Sequence, residues 1–371
     1  MKIAFVYDRV NKWGGAERVL LALHEIWPEA PLFTSVYNPQ TAPWSKVFKT
    51  APSFLQNFSL AKNNHELFPV VMPFVFESFN FDDYDVVISI TSEAAKAIVT
   101  KPKTLHLCYC LTPTRYLWSG HEQYFKSKLF SFFARPLVSY LRVWDKIAAH
   151  RPDHYIAISK TVQERIKKYY GRESEVIFPP VDTDRFRTKN SAHGVMNNER
   201  YFLVVSRLVK YKRVDLVVEA FNKLGWSLKI VGTGKELKKL QAKAKKNIEF
   251  LGLLTEEELL GYYHNCQGVI FPTEEDFGIV PLEAQAAGKP VIAFKAGGAT
   301  ETVVEDKTGV FFNQQTPQAL IKVLEKFDPE KFKARDCQAQ AEKFNKERFQ
   351  KEFKKLVEEK WKDHLKTTYT S

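Results

Sequence analysis

Phe271-Pro272-Thr273-Glu274-Glu275-Asp276-Phe277-Gly278-Ile279-Val280-Pro281-Leu282-Glu283-Ala284 opens at the end of a short apolar run, Gly268–Phe271, and passes through a turn into a helical pattern. A buried strand, a polar loop and a helix start in so few residues read as the carboxyl edge of a parallel α/β unit. The same alternation repeats outward from this stretch. Strand candidates are Ile3–Tyr7, Val86–Ile90, Leu105–Cys110, His154–Ile158, Val176–Phe178, Phe202–Ser206, Ser227–Val231, Ile248–Leu251, Gly268–Phe271 and Pro290–Ala293. They are short and rich in Val and Ile, as strands buried on both faces are. Helical patterns lie between them, among them Ala16–Ile26, Lys160–Tyr169, Val214–Leu224 and Glu283–Ala287. Such βαβα order predicts α/β layering.

One segment interrupts the alternation. RFRTKNSAHGVMNNER at 185–200 is polar and aperiodic and precedes a new strand. The expected architecture is therefore two Rossmann-like, doubly wound domains facing across a cleft. The first covers 1–184, the linker 185–199 and the second 200–344. Glu342–Leu365 reads as a charged amphipathic helix, and 345–371 is expected to return to the first domain.

Composition agrees with two domains. The chain has 371 residues, and domains typically take roughly 100–200. Hydrophobic residues make up 44%, enough for substantial cores. The net charge of +12 attracts anions, whether nucleotides, nucleic acid or acidic lipid, and does not choose among them. Cys108, Cys110, Cys266 and Cys337 form no CxxC pair, so a reducing cytoplasm is expected. His150 and His154 have helical spacing, but Pro152 between them disfavours a shared metal. MKIAFVYDRV starts directly as a strand and not as a secretory leader. No run reaches the roughly 18 apolar residues of a membrane span.

In open α/β sheets, ligands bind at the carboxyl ends of the strands. Three loops of that kind stand out. After Ile3–Tyr7 comes Asp8-Arg-Val-Asn-Lys-Trp-Gly14-Gly15, then a helix. Paired glycines let backbone approach a ligand, and the helix start offers N–H groups to an anion. The loop matches neither GxGxxG nor a Walker motif, and a plain connecting loop reads the same way. After Phe202–Ser206 comes Arg207-Leu-Val-Lys210-Tyr-Lys212-Arg213. Arg207 and Lys212 can hold a pyrophosphate with charge-assisted bonds and stabilise charge on a leaving phosphate. A solvated basic loop is the plainer account. The third loop is the opening stretch. Glu275 falls in the loop and Glu283 about a turn into the helix, beside the N–H groups of Gly278–Val280. A helix-start acid favoured by the dipole is the alternative. If the domains close, the first and third loops form a two-sided anion clamp.

These residues carry a resemblance. SRLVKYKRVDLVVEAF, KIVGTGKEL, FLGLL, FPTEEDFGIVPLEAQAAGKPVIAF and GGATETV resemble the retaining glycosyltransferases of family 4, which have the GT-B fold. VYDRVNKWGGAERVL, YCLTPTRYLW and IFPPVDTDRF extend the resemblance through the first half, nearest the O-antigen-type mannosyltransferases. It implies that Glu283 binds the donor ribose and Glu275 the donor sugar. Arg207 and Lys212 would hold the pyrophosphate. Gly14, Gly15, Phe277, Gly278, Ile279, Val280 and Gly232 would line the donor. Asp8, Arg115 and Tyr116 are placed on the acceptor side. The implied donor is GDP-mannose and the acceptor a glycan or lipid-linked glycan. Neither metal nor cofactor is expected. The reaction would keep the anomeric configuration. One departure concerns Leu111, which stands where related mannosyltransferases often have histidine in a CHTPMRY-like string. Leucine can neither donate a hydrogen bond nor move a proton, so the donor sugar stays open at this point.

Other readings compete. Asp83-Tyr84-Asp85 and Asp182-Thr183-Asp184 both spell DxD, a metal and donor motif in the other large glycosyltransferase fold. The first precedes a strand and the second enters the linker, which makes both structural. Glu275 and Glu283 are also compatible with a glycosidase pair, but hydrolysis has no need of the neighbouring cations. A nucleotide-sugar epimerase, a UDP-sugar transferase and a non-catalytic nucleotide-sugar or nucleic-acid binder are further alternatives; nucleic acid is not the expected partner. Finally, YFKSKLFSFFARPLVSYLRVWDKIAAHR at 124–151 is basic and aromatic. It reads equally as a peripheral contact with an anionic membrane and as a helix packed in the first domain. Phe54–Phe81 is similarly apolar.

Overall fold

The structure is a computed structural model. It describes residues 1–120, 128–187 and 200–370, with backbone alone at 128–134 and 369–370. The chain forms two compact units, Met1–Pro179 with Phe349–Ser371, and Pro180–Arg348. Each is an α/β unit built on an all-parallel sheet.

In the first unit the strands are β1 Ile3–Tyr7, β2 Leu32–Thr34, β3 Thr50–Pro52, β4 Val86–Thr91, β5 Leu105–Cys110, β6 His154–Ala157 and β7 Ser174–Val176. Their order is β3-β2-β1-β4-β5-β6-β7. The order reverses between β1 and β4, paired in register from Ile3↔Val86 to Tyr7↔Ile90. Strand alternation sends Ala4 and Val6 to a core with Val75, Phe76 and Val87. On the other face, Phe5 meets Trp27, and Trp27 meets Phe353 of the C-terminal helix Lys346–Thr370, both at 6.4 Å. Phe349, Phe353, Leu356 and Val357 are buried at helical spacing, which fixes that helix to this unit. Tyr109 seals the contact, 5.5 Å from the Phe353 ring.

In the second unit the strands are β8 Phe202–Val205, β9 Leu228–Val231, β10 Ile248–Gly252, β11 Gly268–Phe271, β12 Val291–Phe294 and β13 Gly309–Phe312. Their order is β10-β9-β8-β11-β12-β13, with the reversal between β8 and β11. The helix Val214–Leu224, which follows β8, packs into the core on one face. Ala284 and Ala286 of the helix Ile279–Ala286, which follows β11, pack into the core on the other.

The structure refines several sequence expectations. β2, β3 and β13 escape the sequence reading because β2 has only three residues and follows Pro31, β3 has only three and ends on Pro52, and β13 follows a tight turn. The expected strand Val176–Phe178 lies earlier, at Ser174–Val176. Ile177 still donates to the Ala157 carbonyl at 3.1 Å, so the extended chain continues past the ladder. Of the expected linker, Arg185–Arg187 belong to the helix Thr183–Arg187, and Phe186 is buried against Tyr263. The rest of that linker, 188–199, lies outside the described residues, as do 121–127 of the basic-aromatic stretch. Among the described residues no helix is long and apolar enough to cross a membrane.

Two buried histidines give the first unit a pH signature. His106 lies on β5 with Nε2 2.9 Å from Ser89 Oγ. His65 is 2% exposed. Burial, reinforced by Arg151 and Arg172 for His106 and by Arg9 and Lys12 for His65, pushes both down to about 3. The folded protein therefore holds them neutral while the unfolded chain protonates near 6.5. Stability is full above that value and falls as pH drops toward 3. By pH 5 each should cost on the order of 1–2 kcal/mol. Wild type should lose more melting temperature between pH 7.5 and 5 than His106→Gln or His65→Gln. Equal losses would place the acid sensitivity elsewhere.

Candidate functional site

β8 and β11 are neighbours at the reversal of the second sheet, paired through Gly268↔Phe202 and Val269↔Leu203. The loops leaving their carboxyl ends therefore emerge side by side. They are tied together in two ways. Thr273 Oγ1 donates to the Tyr211 carbonyl at 3.1 Å. Lys212 Nζ forms an ion pair with Glu275 Oε1, and these side chains are only 13% and 20% exposed. Arg207 Nη2 donates to the Tyr211 hydroxyl at 2.6 Å, and Lys212 Nζ stands 5.2 Å from the centre of the same ring. One tyrosine thus spaces the two cations. Gln315 braces both loops, donating from Nε2 to the Pro272 carbonyl at 2.9 Å and accepting at its own carbonyl from Arg213 at 3.2 Å.

The backbone under the basic loop is equally constrained. Ser206 N donates to the Val231 carbonyl, and Leu208 N to the Thr233 carbonyl at 2.8 Å. Gly232 sits between, at φ +129°, and a Cβ there would overlap the Ser206 carbonyl oxygen. Glycine is required by both conformation and space.

The acidic loop is held from behind. Gly298 N donates to the Glu275 carbonyl at 2.8 Å. Asp276 and Phe277 are buried, and Phe277 packs 5.8 Å from Phe344. Gly278 adopts φ +91° and begins the helix Ile279–Ala286, whose N-terminus has no side-chain cap. Ile279 and Val280 are half-buried in its first turn. Glu283 is 4% exposed, and Tyr263 Oη donates to its Oε2 at 2.8 Å. Arg207, Lys212, Glu275, Gly278 and Glu283 thus belong to one edge of one sheet. The chemistry available there is charge-assisted binding of an anion, an anion-favouring helix start and a fixed buried carboxylate acceptor.

The first unit carries its own edge at β1 and β4. Asp8 is 3% exposed, and its carboxylate organises this edge. Oδ1 accepts from Thr91 Oγ1 at 2.8 Å and from the Ala94 and Ala95 amides at 2.9 Å; Oδ2 accepts from the Ser92 amide at 2.7 Å and the Glu93 amide at 3.1 Å. Gly14 is extended and precedes the helix Gly15–Ile26, whose Glu17 accepts from the buried Tyr7 hydroxyl at 2.7 Å. Leu111 is half-buried, and its amide donates to the Thr91 carbonyl. Arg115 and Tyr116 are half-buried in a turn closed by Gly120 N to the Arg115 carbonyl at 2.8 Å. That turn is anchored through Thr114 and Trp118, which donate to Asp145 at 2.9 and 2.7 Å, while Lys96 pairs with Asp145 at 2.6 Å. Of the DxD aspartates, Asp85 accepts from the Lys2 amide at 2.7 Å at the amino end of β4, and Asp182 accepts from the Arg185 amide at 3.3 Å.

Sequence reading passed over several residues. Arg9 Nη1 pairs with Glu93 Oε1 at 3.1 Å at the β1–β4 edge, and burial pushes the Glu93 carboxyl up to about 7 against the pull of Arg9. The only sequence signal was position, since both directly follow strands. Tyr211 lies in the basic loop after β8, among the cations Arg207, Lys210, Lys212 and Arg213. Tyr263, on the helix Glu256–Asn265, gave no signal.

Residues 13–185 match the family described as Glycosyltransferase Family 4, and residues 186–344 match Glycosyl transferases group 1. The two matches run on without a gap, so the chain carries a Glycosyltransferase Family 4 domain followed by a Glycosyl transferases group 1 domain. A GDP-mannose-dependent α-(1-6)-phosphatidylinositol monomannoside mannosyltransferase of Mycolicibacterium smegmatis is 34% identical over 179 residues, 41% of this chain and 47% of that relative. O-antigen chain mannosyltransferase C of Escherichia coli is 28% identical over 219 residues, 55% of this chain and 57% of the relative. The chain spans about half the length of the curated relatives it matches. Among solved structures, Anabaena HepE in complex with UDP superposes with a TM-score of 0.73 at 18% identity, over 97% of this chain and 100% of that one. This likeness establishes the fold.

The Tyr263–Glu283 bond offers a direct test of how the carboxylate is held. Tyr263→Phe keeps the ring against Phe186 and removes the donor. It should cost about 1.5–3 kcal/mol in urea unfolding, as bonds to charged groups do. In a double-mutant cycle with Glu283→Met, which removes the acceptor at similar length, most of that loss should disappear; fully additive effects would mean the carboxylate is held by other groups.

Proposed function

We propose that this glycosyltransferase moves mannose from GDP-mannose to a glycan or lipid-linked glycan, with retention at the anomeric carbon. The observation that carries the reading is the tie between the basic loop after β8 and the acidic loop after β11, made by Lys212 with Glu275 and by Thr273 with Tyr211. Arg207 and Lys212 meet the diphosphate, which places positive charge where the leaving group becomes more negative. The uncapped start of the helix Ile279–Ala286 adds N–H groups beside it. Glu283 accepts hydrogen bonds from the ribose hydroxyls, and Glu275 orients the sugar. Gly232 gives the donor close backbone approach. Asp8 shapes the acceptor-side edge, on which Arg115 and Tyr116 are placed. The bond from the anomeric carbon to the β-phosphate oxygen breaks. A bond from the acceptor oxygen forms on the same face, and the acceptor proton leaves with the phosphate. The cations supply the charge stabilisation, so no resident metal or cofactor enters this account.

The mannosyl assignment is supported by the mannosyltransferases among the relatives. A UDP-sugar donor is the second reading. It is favoured by the fold shared with HepE, whose structures hold UDP and UDP-glucose, and by leucine at position 111.

Thermal stabilisation by GDP, UDP and ADP separates these readings. A nucleotide at 100 times its Kd adds about 2.7 kcal/mol to the folded state. GDP and GDP-mannose should raise the melting temperature selectively. A UDP-selective shift would keep the site and change the donor; no shift with any nucleotide would remove the transfer reading. Glu283→Ala should weaken nucleotide binding about tenfold or more, the loss expected of a charged hydrogen-bond acceptor. Glu275→Ala should instead lower turnover, by about 100-fold, with donor affinity little changed. Wild-type kinetics in both variants would dismantle the site.

A further inference from the structure

Most of the large apolar side chains left exposed among the described residues fall in two segments of the first unit. Between β3 and β4, Phe58, Leu60, Leu67 and Phe74 are 56%, 60%, 66% and 61% exposed. On the helix Lys128–Ala148, Leu137, Tyr140, Val143 and Ile147 are 38%, 49%, 61% and 58% exposed. Positions 137, 140, 143 and 147 recur at helical pitch and share one stripe. Val138, Leu141, Asp145 and Ala148 form the buried stripe of the same helix. The fold therefore uses one apolar side of this helix and leaves another in water.

The two segments adjoin. The helix Met72–Glu77 ends on a carboxylate that accepts from Trp144 Nε1 at 3.3 Å and from Arg151 Nη2 at 2.6 Å. Trp144 also packs against the core that contains Val75 and Phe76. Phe74 lies three residues before Glu77, on the same side of its helix. It thus joins the edge of the long helix that Trp144 occupies. On the far side of the exposed stripe, Arg135, Arg142 and Lys146 follow the helical pitch as a basic row. Arg142 and Lys146 lie 5.7 and 5.6 Å from the centre of the Trp118 ring. The sequence 128–151 carries Lys128, Arg135, Arg142, Lys146 and Arg151 against a single acid, Asp145. That acid is buried against Lys96 at 2.6 Å, so the helix offers the basic row no exposed carboxylate of its own.

We propose that these two segments form one docking face for an anionic phospholipid bilayer. The apolar side chains enter the headgroup–acyl boundary, and Arg135, Arg142 and Lys146 meet lipid phosphates. A second copy of the chain suits the face less well, because the carboxylates at 58–77 and 128–148 are already engaged within the unit, Glu66 with Lys12 at 3.7 Å, Glu77 with Arg151 at 2.6 Å and Asp145 with Lys96 at 2.6 Å, and do not answer the basic row of a mate. The inference rests on these exposed faces alone and goes beyond the transfer reaction, so it holds or fails whatever the donor.

Sedimentation of the full chain with vesicles tests it. Vesicles of phosphatidylcholine mixed with phosphatidylglycerol should bind about tenfold or more protein than phosphatidylcholine alone, and high salt should reverse most of the gain. Phe74→Asp combined with Ile147→Asp should lose at least about tenfold in binding, since each places a charge at the apolar boundary. Lys146→Glu tests the basic row without touching the apolar one and should erase much of the preference for anionic lipid. Leu253→Asp alters a residue that is 78% exposed in the second unit and should bind like wild type. Thermal unfolding of each variant confirms that the fold is intact. Absent or charge-indifferent binding by folded wild type overturns the proposal. So does self-association that the double variant abolishes while vesicles bind nothing.

Discussion

Adjacent parallel strands whose crossovers leave in opposite directions impose the geometry on which the candidate donor groups depend. β8 runs on toward β9 and β11 toward β12, so the sheet grows outward from their shared edge. Right-handed crossovers then put the following helices on opposite faces. The two cores record this, with the helix Val214–Leu224 in one and the helix Ile279–Ala286 in the other. Neither helix covers the carboxyl ends between them. The loops that emerge there can bond each other, as Thr273 and Tyr211 do. The first unit repeats the device at β1 and β4.

The two units stabilise these edges differently. At the β1–β4 edge one carboxylate, Asp8, gathers the amides of Ser92, Glu93, Ala94 and Ala95. A charge so enclosed is tolerable only because amides and a hydroxyl replace its water. Deeper in the same unit, Lys96 and Asp145 are both nearly inaccessible. A buried pair of this kind adds little net stability, yet removing one partner leaves an uncompensated charge. Its consequence is positional. Thr114 and Trp118 are drawn to the same carboxylate, so the turn carrying Arg115 and Tyr116 has a fixed root. In the second unit the backbone at Gly232, beneath the basic loop, and at Gly278, at the helix start, shares the fixing with the side chains of Thr273, Gln315 and the Lys212–Glu275 pair.

What could be read in the sequence followed the range of the interactions. β1 and β11 are continuous apolar runs, and β5 is one broken only by His106; all are buried on both faces, and their bounds were legible to the residue. Arg207 and Glu275 were expected on loops close behind strands, Lys212 stood out in a cluster of cations, and Glu283 stood out in a string that resembles the family. β2 and β3 were not legible, since three residues at a proline carry no period. Pairings across long separations were also invisible. Arg9 meets Glu93 across 84 positions and Lys96 meets Asp145 across 49. Tyr263, 20 positions before Glu283, lies on a helix whose pattern announces only packing. Propensity and periodicity are local; which polar side chain answers a buried charge is decided by the sheet order.

Lys212 and Glu275 show why the site tolerates its own charges before any ligand arrives. Both are largely withdrawn from water, and each is the other's counterion. An isolated ammonium at that edge would bear a desolvation cost with nothing to offset it. In the proposed complex the diphosphate replaces the carboxylate as partner of the lysine. Glu275 is then released to the sugar hydroxyls, which satisfy it in turn. The number of charged contacts is nearly conserved in the exchange, so the donor need not supply the full cost of stripping water from both groups. The Tyr211 ring stands against Arg207 and Lys212 throughout and keeps the cations apart. Preorganisation at this edge therefore comes from an internal ion pair that a ligand can exchange, built on two loops that strand order alone makes neighbours.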